Sequence, residues 1–287
     1  MLNYEFSNTP GNDGLVVSNS GGLTLNSAGF NLFVEGTVNK WANTGTFNLI
    51  QYTGAIGGTG LDASWTTVSG SNPHILNPQT GLTYGFSASG GFIALTIGAT
   101  ATLSNWNVNA GGIWGSGRNW SAGVPNAHSD TANFLSAISS LQTVTLDGNK
   151  SVGTLQFSKA NAYTIAQGSG GSLILNNANG AQTAQVTVAN GSHTVSAPVS
   201  LVSNTAVEVS NAADTLTISG AISGASLTKT GNGTLALTSA NTLAATTLQG
   251  GTIVAGNAGA LGTGTLTLSG NATLSAGIDG LTIANMS

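Results

Sequence analysis

Residues 225–270 read ASLTKTGNGTLALTSANTLAATTLQGGTIVAGNAGALGTGTLTLSG, and their pattern decides the fold class. Short apolar alternations, Leu235 with Leu237, then Ile253, then Leu266 with Leu268, are each bounded by Gly, Asn or Ser. That is the pattern of half-buried strands joined by tight turns, and nothing in it has a helical period.

The same alternation extends back to Thr143. Polar residues separate Val144 from Leu146, Leu155 from Phe157, Tyr163 from Ile165, Leu173 from Leu175, Val186 from Val188, Val207 from Val209, and Leu216 from Ile218. A strand this short cannot hold an independent core, so each must stack on neighbours, which is the physical logic of a solenoid with two or three strands per coil. Asn-Gly at Asn179 and Asn190 equally suits the two-residue turns of an antiparallel sandwich. The alternation by itself leaves both arrangements open.

Composition narrows the function classes. Only 5% of the 287 residues are charged, where about 25% is usual, so Thr, Ser and Asn must carry solubility. With 40% hydrophobic residues and 42 Gly the chain reads as a repetitive β protein able to bury a core. A net charge of -4 gives no electrostatic footprint for a phosphate backbone, so no nucleic-acid partner is expected. The lack of Cys removes disulfides, thiolate metal sites and cysteine nucleophiles together. No segment approaches the roughly 18 apolar residues of a membrane helix, and MLNYEFSNTPGNDG lacks the basic and apolar regions of a signal peptide.

The string L-T-K-T-G-N-G-T-L-A-L-T-S-A-N-T followed by L-Q-G-G-T-I resembles the autotransporter-associated β-strand repeat, also called the passenger-associated transport repeat, of bacterial surface and secreted proteins. Leu227, Lys229, Gly231, Gly233, Leu235, Leu237, Asn241, Gly250 and Gly251 carry the signature. The resemblance implies an all-β, right-handed parallel β-helix over residues 141–287. It also implies a structural or adhesive role in an exported, autotransporter-like passenger at the cell surface or secreted, whose repeats assist passage across the outer membrane. The export machinery would be engaged through a region outside this sequence, which the resemblance makes a piece of a longer precursor, and a surface glycan or protein is the expected ligand.

Residues 1–103 alternate again at Leu23 and Leu25, Phe47 and Leu49, and Leu95 and Ile97, with turns expected at Asn12-Asp13-Gly14 and Gly57-Gly58. GTFNLIQYTGAIGGTGL and GGFIALTI resemble the closing rungs of a preceding passenger module, and Pro73 and Pro78 bracket an irregular excursion because proline cannot donate to a strand ladder. Residues 104–140 concentrate Trp106, Trp114, Trp120 and Arg118 among glycines and resemble the segment that opens such repeats. Three tryptophans there admit two readings: a buried cap over the first coil, which covers an open sheet end, or an exposed platform that stacks on sugar rings beside Arg118.

No catalytic, metal or cofactor site is expected. Asp13, Asp147 and Asp279 each precede Gly and read as turn residues. Asp130 or Ser129 reads as a loop residue that binds backbone donors, with His128 solvated. His74 and His193 are isolated and read as surface residues, and Lys229 as a lysine whose stem lies on the surface with its head in water. Two alternatives to the scaffold are a carbohydrate-active enzyme or carbohydrate-binding module, and an ice-binding β-solenoid prompted by Thr-x-Thr at Thr143, Thr215 and Thr265, which fall in no regular sequence repeat.

Overall fold

The computed structural model describes residues 2–7, 14–70, 72–79, 82–177 and 182–283; the turn expected at Asp13 and the Asn-Gly at Asn179 lie outside them. Strand makes up 49% against 3% helix, so the protein is nearly all-β. It divides into two compact units, Met1–Thr100 and Ala101–Ser287.

The second unit is built from three open, parallel sheets that the chain visits in rotation. Sheet I runs Leu103–Asn105, Thr131–Phe134, Thr154–Ser158, Ala184–Asn190, Thr205–Val209, Leu227–Thr230, Ala245–Leu248 and Thr265–Leu268. Sheet II runs Gly112–Ile113, Gln142–Leu146, Tyr163–Gln167, His193–Val195, Thr215–Ile218, Thr234–Leu237, Gly251–Ala255 and Ala272–Ala276. Sheet III has five strands, Lys150–Val152, Leu173–Leu175, Val199–Leu201, Ile222–Gly224 and Thr242–Leu243. Every pairing between these named strands is parallel, which rules out the antiparallel sandwich for this unit. The Asn190-Gly191 turn joins sheet I to sheet II rather than two partners of a hairpin. Long parallel sheets of this kind are compatible with a β-helix.

Register explains how strands of two to seven residues obtain a core. Leu216 lies opposite Leu235, and Leu235 opposite Ile253, so successive circuits take 19 and 18 residues. Alternate residues face inward, and each inward side chain lies between its counterparts one circuit before and after. One column runs Val144, Ile165, Val195, Ile218, Leu237 and Ala255, and all six are buried in a single continuous core. A lone circuit would leave both flanks of such a residue wet; stacking removes them from water, worth about 1.5–3 kcal/mol for each fully buried Leu, Ile or Val.

Glycines of the repeat signature occupy corners between sheets I and II. Gly231 and Gly251 have φ of +75° and +66°, and a Cβ on Gly251 would collide with the carbonyl oxygen of Gly233 one circuit earlier. Left-handed backbone and near contact with the preceding corner together require glycine there.

The first unit pairs strands in both senses. Leu2–Phe6 is parallel to Phe30–Val34, and Leu15–Val17 to Gly45–Tyr52. Gly45–Tyr52 is antiparallel to Phe92–Ala99, which forms a hairpin with Leu82–Ser89. That hairpin departs from the parallel rungs expected in residues 1–103, because Gly90 and Gly91, both at positive φ, reverse the chain in two residues. Pro73 and Pro78 lie outside the named strands, after the short helix Ala63–Thr66. The unit has its own core around Phe6, Phe30, Trp41, Trp65 and Phe86.

Candidate functional site

The aromatic segment at the start of the second unit resolves into a buried cluster. Trp106, Trp114 and Trp120 are 1%, 0% and 4% exposed. Trp120 packs on Trp114 and Trp106 at ring-centroid distances of 5.0 and 5.3 Å, and on Phe134 at 5.5 Å. From Phe134 the column continues through Phe157 to His193, at 5.3 and 4.6 Å. Each indole N–H is spent internally: Trp106 Nε1 donates to Ala110 O at 3.1 Å, Trp114 Nε1 to Pro125 O at 2.9 Å and Trp120 Nε1 to Trp114 O at 2.6 Å. Buried faces and occupied donors leave no surface on which a sugar ring could stack, so the glycan platform built on these three residues is corrected to a hydrophobic cap. Arg118 is exposed, in the 3-10 turn Gly117–Asn119.

The loop behind the cap is held by a carboxylate. Asp130 is buried and accepts backbone N–H bonds from Thr102 at 2.6 Å, Asn126 at 2.8 Å and Ala127 at 2.9 Å. Its negative charge is thereby matched by three donors. His128, half-buried, has Nδ1 3.4 Å from Ser129 Oγ. The loop set that sequence places together is thus one fastener and its neighbours, without a second carboxylate or nucleophile positioned by it.

Inside the repeat, two polar side chains turn out to be clamps between circuits. Lys229, expected at the surface, is fully buried in the column between Val207 and Leu248. Its Nζ donates to Thr230 O at 2.5 Å, Gly231 O at 3.1 Å and Gly250 O at 3.3 Å, the last belonging to the next circuit. Burial pushes its pKa down to about 8, with Glu208 acting the other way. Lys229 is therefore corrected from a solvated residue to an internal one: strand alternation points it inward, and corner carbonyls supply the partners that a buried ammonium needs. Asn241, also buried, accepts from Ile222 N at 2.7 Å and donates through Nδ2 to Ala260 O at 2.6 Å. Those partners lie one circuit back and one circuit on. Leu227, Leu235 and Leu237 are core residues, and Gly233 packs against the Asn211 and Asp214 carbonyls.

His193 needs the same correction. It is buried in sheet II, where Tyr163 N–H donates to Nδ1 at 3.1 Å and Nε2–H reaches Asn190 O at 3.0 Å. That pair of bonds selects the neutral ring, and burial lowers its pKa. Asp147 ends a strand, accepts from Gly115 N at 3.0 Å and pairs with Lys150 at 2.8 Å; the lysine contact holds its carboxyl below the ordinary range. His74, in the first unit, is buried and stacks on Trp65 with ring centroids 3.6 Å apart.

Two features were not legible in the sequence. Thr246 is buried and donates to Leu261 O at 2.9 Å, closing a further inter-circuit bond. On the outer face of sheet II, Thr143, Thr164, Thr194 and Thr217 fall in one rank and Thr215, Thr234, Thr252 and Thr273 in another. Unequal circuit lengths hide that regularity from a linear reading. Among the described residues, no group of three or more His, Cys, Asp or Glu side chains could hold a metal ion, and no helix is long and apolar enough to cross a membrane. Compared with known proteins, the chain matches no protein-family model, no curated protein and no solved structure.

Proposed function

We propose that residues 101–287 form a right-handed parallel β-helix serving as a structural or adhesive scaffold in an exported bacterial passenger protein, secreted or held at the cell surface. The observation that carries this reading is that the repeat signature is spent on joining circuits: Lys229 bonds to the next circuit, and Asn241 bonds to the circuits on both sides. Each circuit thus completes the hydrogen bonds and core of the one before it. A chain emerging through an outer-membrane pore can gain stability one circuit at a time, and each added circuit opposes return. Catalysis has no part in this role. The scaffold works by length, stiffness and its outward faces, on which a glycan or protein ligand would bind.

The test is to place the full chain between an export signal and an outer-membrane translocation barrel, and to measure protease-accessible protein at the bacterial surface. The parent should reach the surface and resist digestion, and Leu237→Asp, which blocks stacking at a buried position, should accumulate inside. Equal surface display of the two would overturn the coupling of stacking to export.

A second reading is favoured by the two threonine ranks on sheet II. Rows of hydroxyl and methyl groups on a charge-poor β surface can order water, as an ice-binding face requires. Thermal hysteresis that disappears in Thr217→Lys and Thr234→Lys would support it; the absence of hysteresis in the parent removes it.

A further inference from the structure

In the first unit an imidazole stands between two acceptors with nothing left to accept. Ser64 Oγ lies 2.5 Å from Asp62 Oδ1 and 3.0 Å from His74 Nε2, and His74 Nδ1 lies 2.7 Å from the main-chain oxygen of Ala28. A hydroxyl has one hydrogen, and the Asp62 carboxylate takes it. Nε2 can then meet Ser64 Oγ only by donating, and Nδ1 must donate as well, because a carbonyl only accepts. Both ring nitrogens therefore carry hydrogen, and the ring that completes this pattern is the imidazolium. His74 is buried, so its charge has to be matched within the unit. The Ala28 carbonyl, the carboxylate acting through Ser64, and the Trp65 indole stacked on the ring at 3.6 Å and 11° from parallel supply that match.

We propose that His74 is a proton-operated latch, which fastens the first unit in acid and releases it as pH rises. The device goes beyond the scaffold role and lies in the other unit. In the imidazolium form the bonds run in one direction: Nδ1–H to Ala28 O, Nε2–H to Ser64 Oγ, and Oγ–H to Asp62. They tie the start of the helix Ala63–Thr66 to the segment that leads into the strand Phe30–Val34. Loss of the Nε2 proton sets a nitrogen lone pair against an oxygen whose hydrogen is already committed to Asp62. Either the hydroxyl turns to Nε2 and leaves the carboxylate, or the contact between Ser64 and His74 opens. Ala28, Ser64 and His74, with Pro73 and Leu76, line a cavity of about 450 Å³, so the groups that part belong to its wall.

Few other charges bear on the ring. Bonds from the Ser64 side chain and backbone hold the Asp62 carboxyl below its ordinary range, so it stays ionised between pH 5 and pH 8, where imidazoles titrate. The strand Leu82–Ser89 sets Phe86 edge-on to the ring at 6.4 Å and carries one titratable residue, Tyr84. The Tyr84 hydroxyl accepts Gln79 N at 2.8 Å, and burial pushes it up, out of that pH span. Residues 26–34 and 72–79 hold no titratable side chain besides His74 itself. The sign follows from the donors: the partners hold the protonated ring, so the stabilisation is present in acid and lost as pH rises through its titration.

The full chain, labelled with nitrogen-15, is titrated between pH 5 and pH 8, and the His74 ring, assigned by its contact with Trp65, is followed by long-range proton–nitrogen NMR. Amide exchange is measured alongside at Phe30 and Leu76, whose N–H groups bond to His74 O and Phe30 O. Both ring nitrogens should be protonated at the acid end and Nε2 bare at the alkaline end. Protection of the two amides, corrected for intrinsic exchange, should fall on the order of tenfold over the same titration. Asp62→Asn keeps an oxygen for the Ser64 N–H, which Asp62 accepts at 2.8 Å as the helix cap, but removes the charge that claims the hydroxyl hydrogen. In that variant, and in Ser64→Ala, which removes the relay, the ring should lose its proton at lower pH and amide protection should no longer follow it. An Nε2 that stays bare throughout in the parent, protection that does not follow the ring's titration, or the same titration and protection in Asp62→Asn overturns the proposal.

Discussion

Lys229 makes the stability of the second unit depend on alkaline pH in a direction opposite to most proteins. Its ammonium is buried, with a folded-state pKa near 8, against about 10.5 for a solvated lysine. Between those values the unfolded chain holds one more proton than the folded chain, so stability rises with pH. A depression from 10.5 to about 8 corresponds to a gain of about 2–3 kcal/mol between pH 7 and pH 10. The perturbation is Lys229→Met, which keeps an unbranched side chain of similar length and removes the titrating group. Urea unfolding of parent and variant, followed by tryptophan fluorescence, gives two curves of stability against pH. Tyr163, pushed up to about 12 by burial, and Tyr84, also raised, lower stability at the alkaline end. They act equally in both proteins and cancel in the difference. The parent curve should climb relative to the variant between pH 7 and pH 10. Parallel curves would refute the reasoning and mean that the three carbonyls keep Lys229 charged well above pH 8.

On the acid side His193 acts in the same sense in a lower window: its folded pKa lies below the ordinary 6.5, so its contribution is complete above that value and is lost as pH falls from it toward the folded pKa. Melting temperature should drop between pH 7 and pH 5, and the drop should shrink in His193→Leu. Trp120→Ala should cost about 3–5 kcal/mol, as other buried aromatic truncations do, while added oligosaccharides leave the parent's tryptophan emission unchanged; saturable sugar binding lost in this variant would count against the cap. Leu237→Asp places a carboxylate in a fully buried column and should cost about 3–5 kcal/mol by chemical denaturation; a melt within a degree or two of the parent would mean that the register is wrong. Asp147→Asn removes the charge partner of Lys150, which is buried, and should cost on the order of 1–3 kcal/mol, and a loss of any measured hydrolytic activity in that variant would contradict its reading as a turn residue.

The sequence by itself determined that the chain is nearly all β and which apolar residues face the core from Val144 to Ile253, because a period of two needs only neighbours along the strand. Leu266 and Leu268 depart from it, half-buried and 52% exposed in the last strand of sheet I, where no further circuit covers them. That period even places Lys229 in phase with Leu227, and His193 in phase with Val195, on the inward side. What overrode the phase in a linear reading was the cost of burying a charge or an imidazole, since the partners that offset it are not neighbours. Gly250 O reaches Lys229 from 21 residues further on, and the Tyr163 N–H reaches His193 from 30 residues earlier. Parallel against antiparallel pairing was likewise undetermined, because Asn-Gly suits a hairpin and a corner alike; the return of each strand to a partner one circuit away decides it. The cap and the sugar platform use the same three tryptophans, and only packing around Phe134 assigns their faces to the interior. Ser64 and His74 meet because His74 stacks on Trp65 and bonds to Ala28, 46 residues earlier. No local spacing encodes that encounter; it exists only once the first unit has closed around its own core.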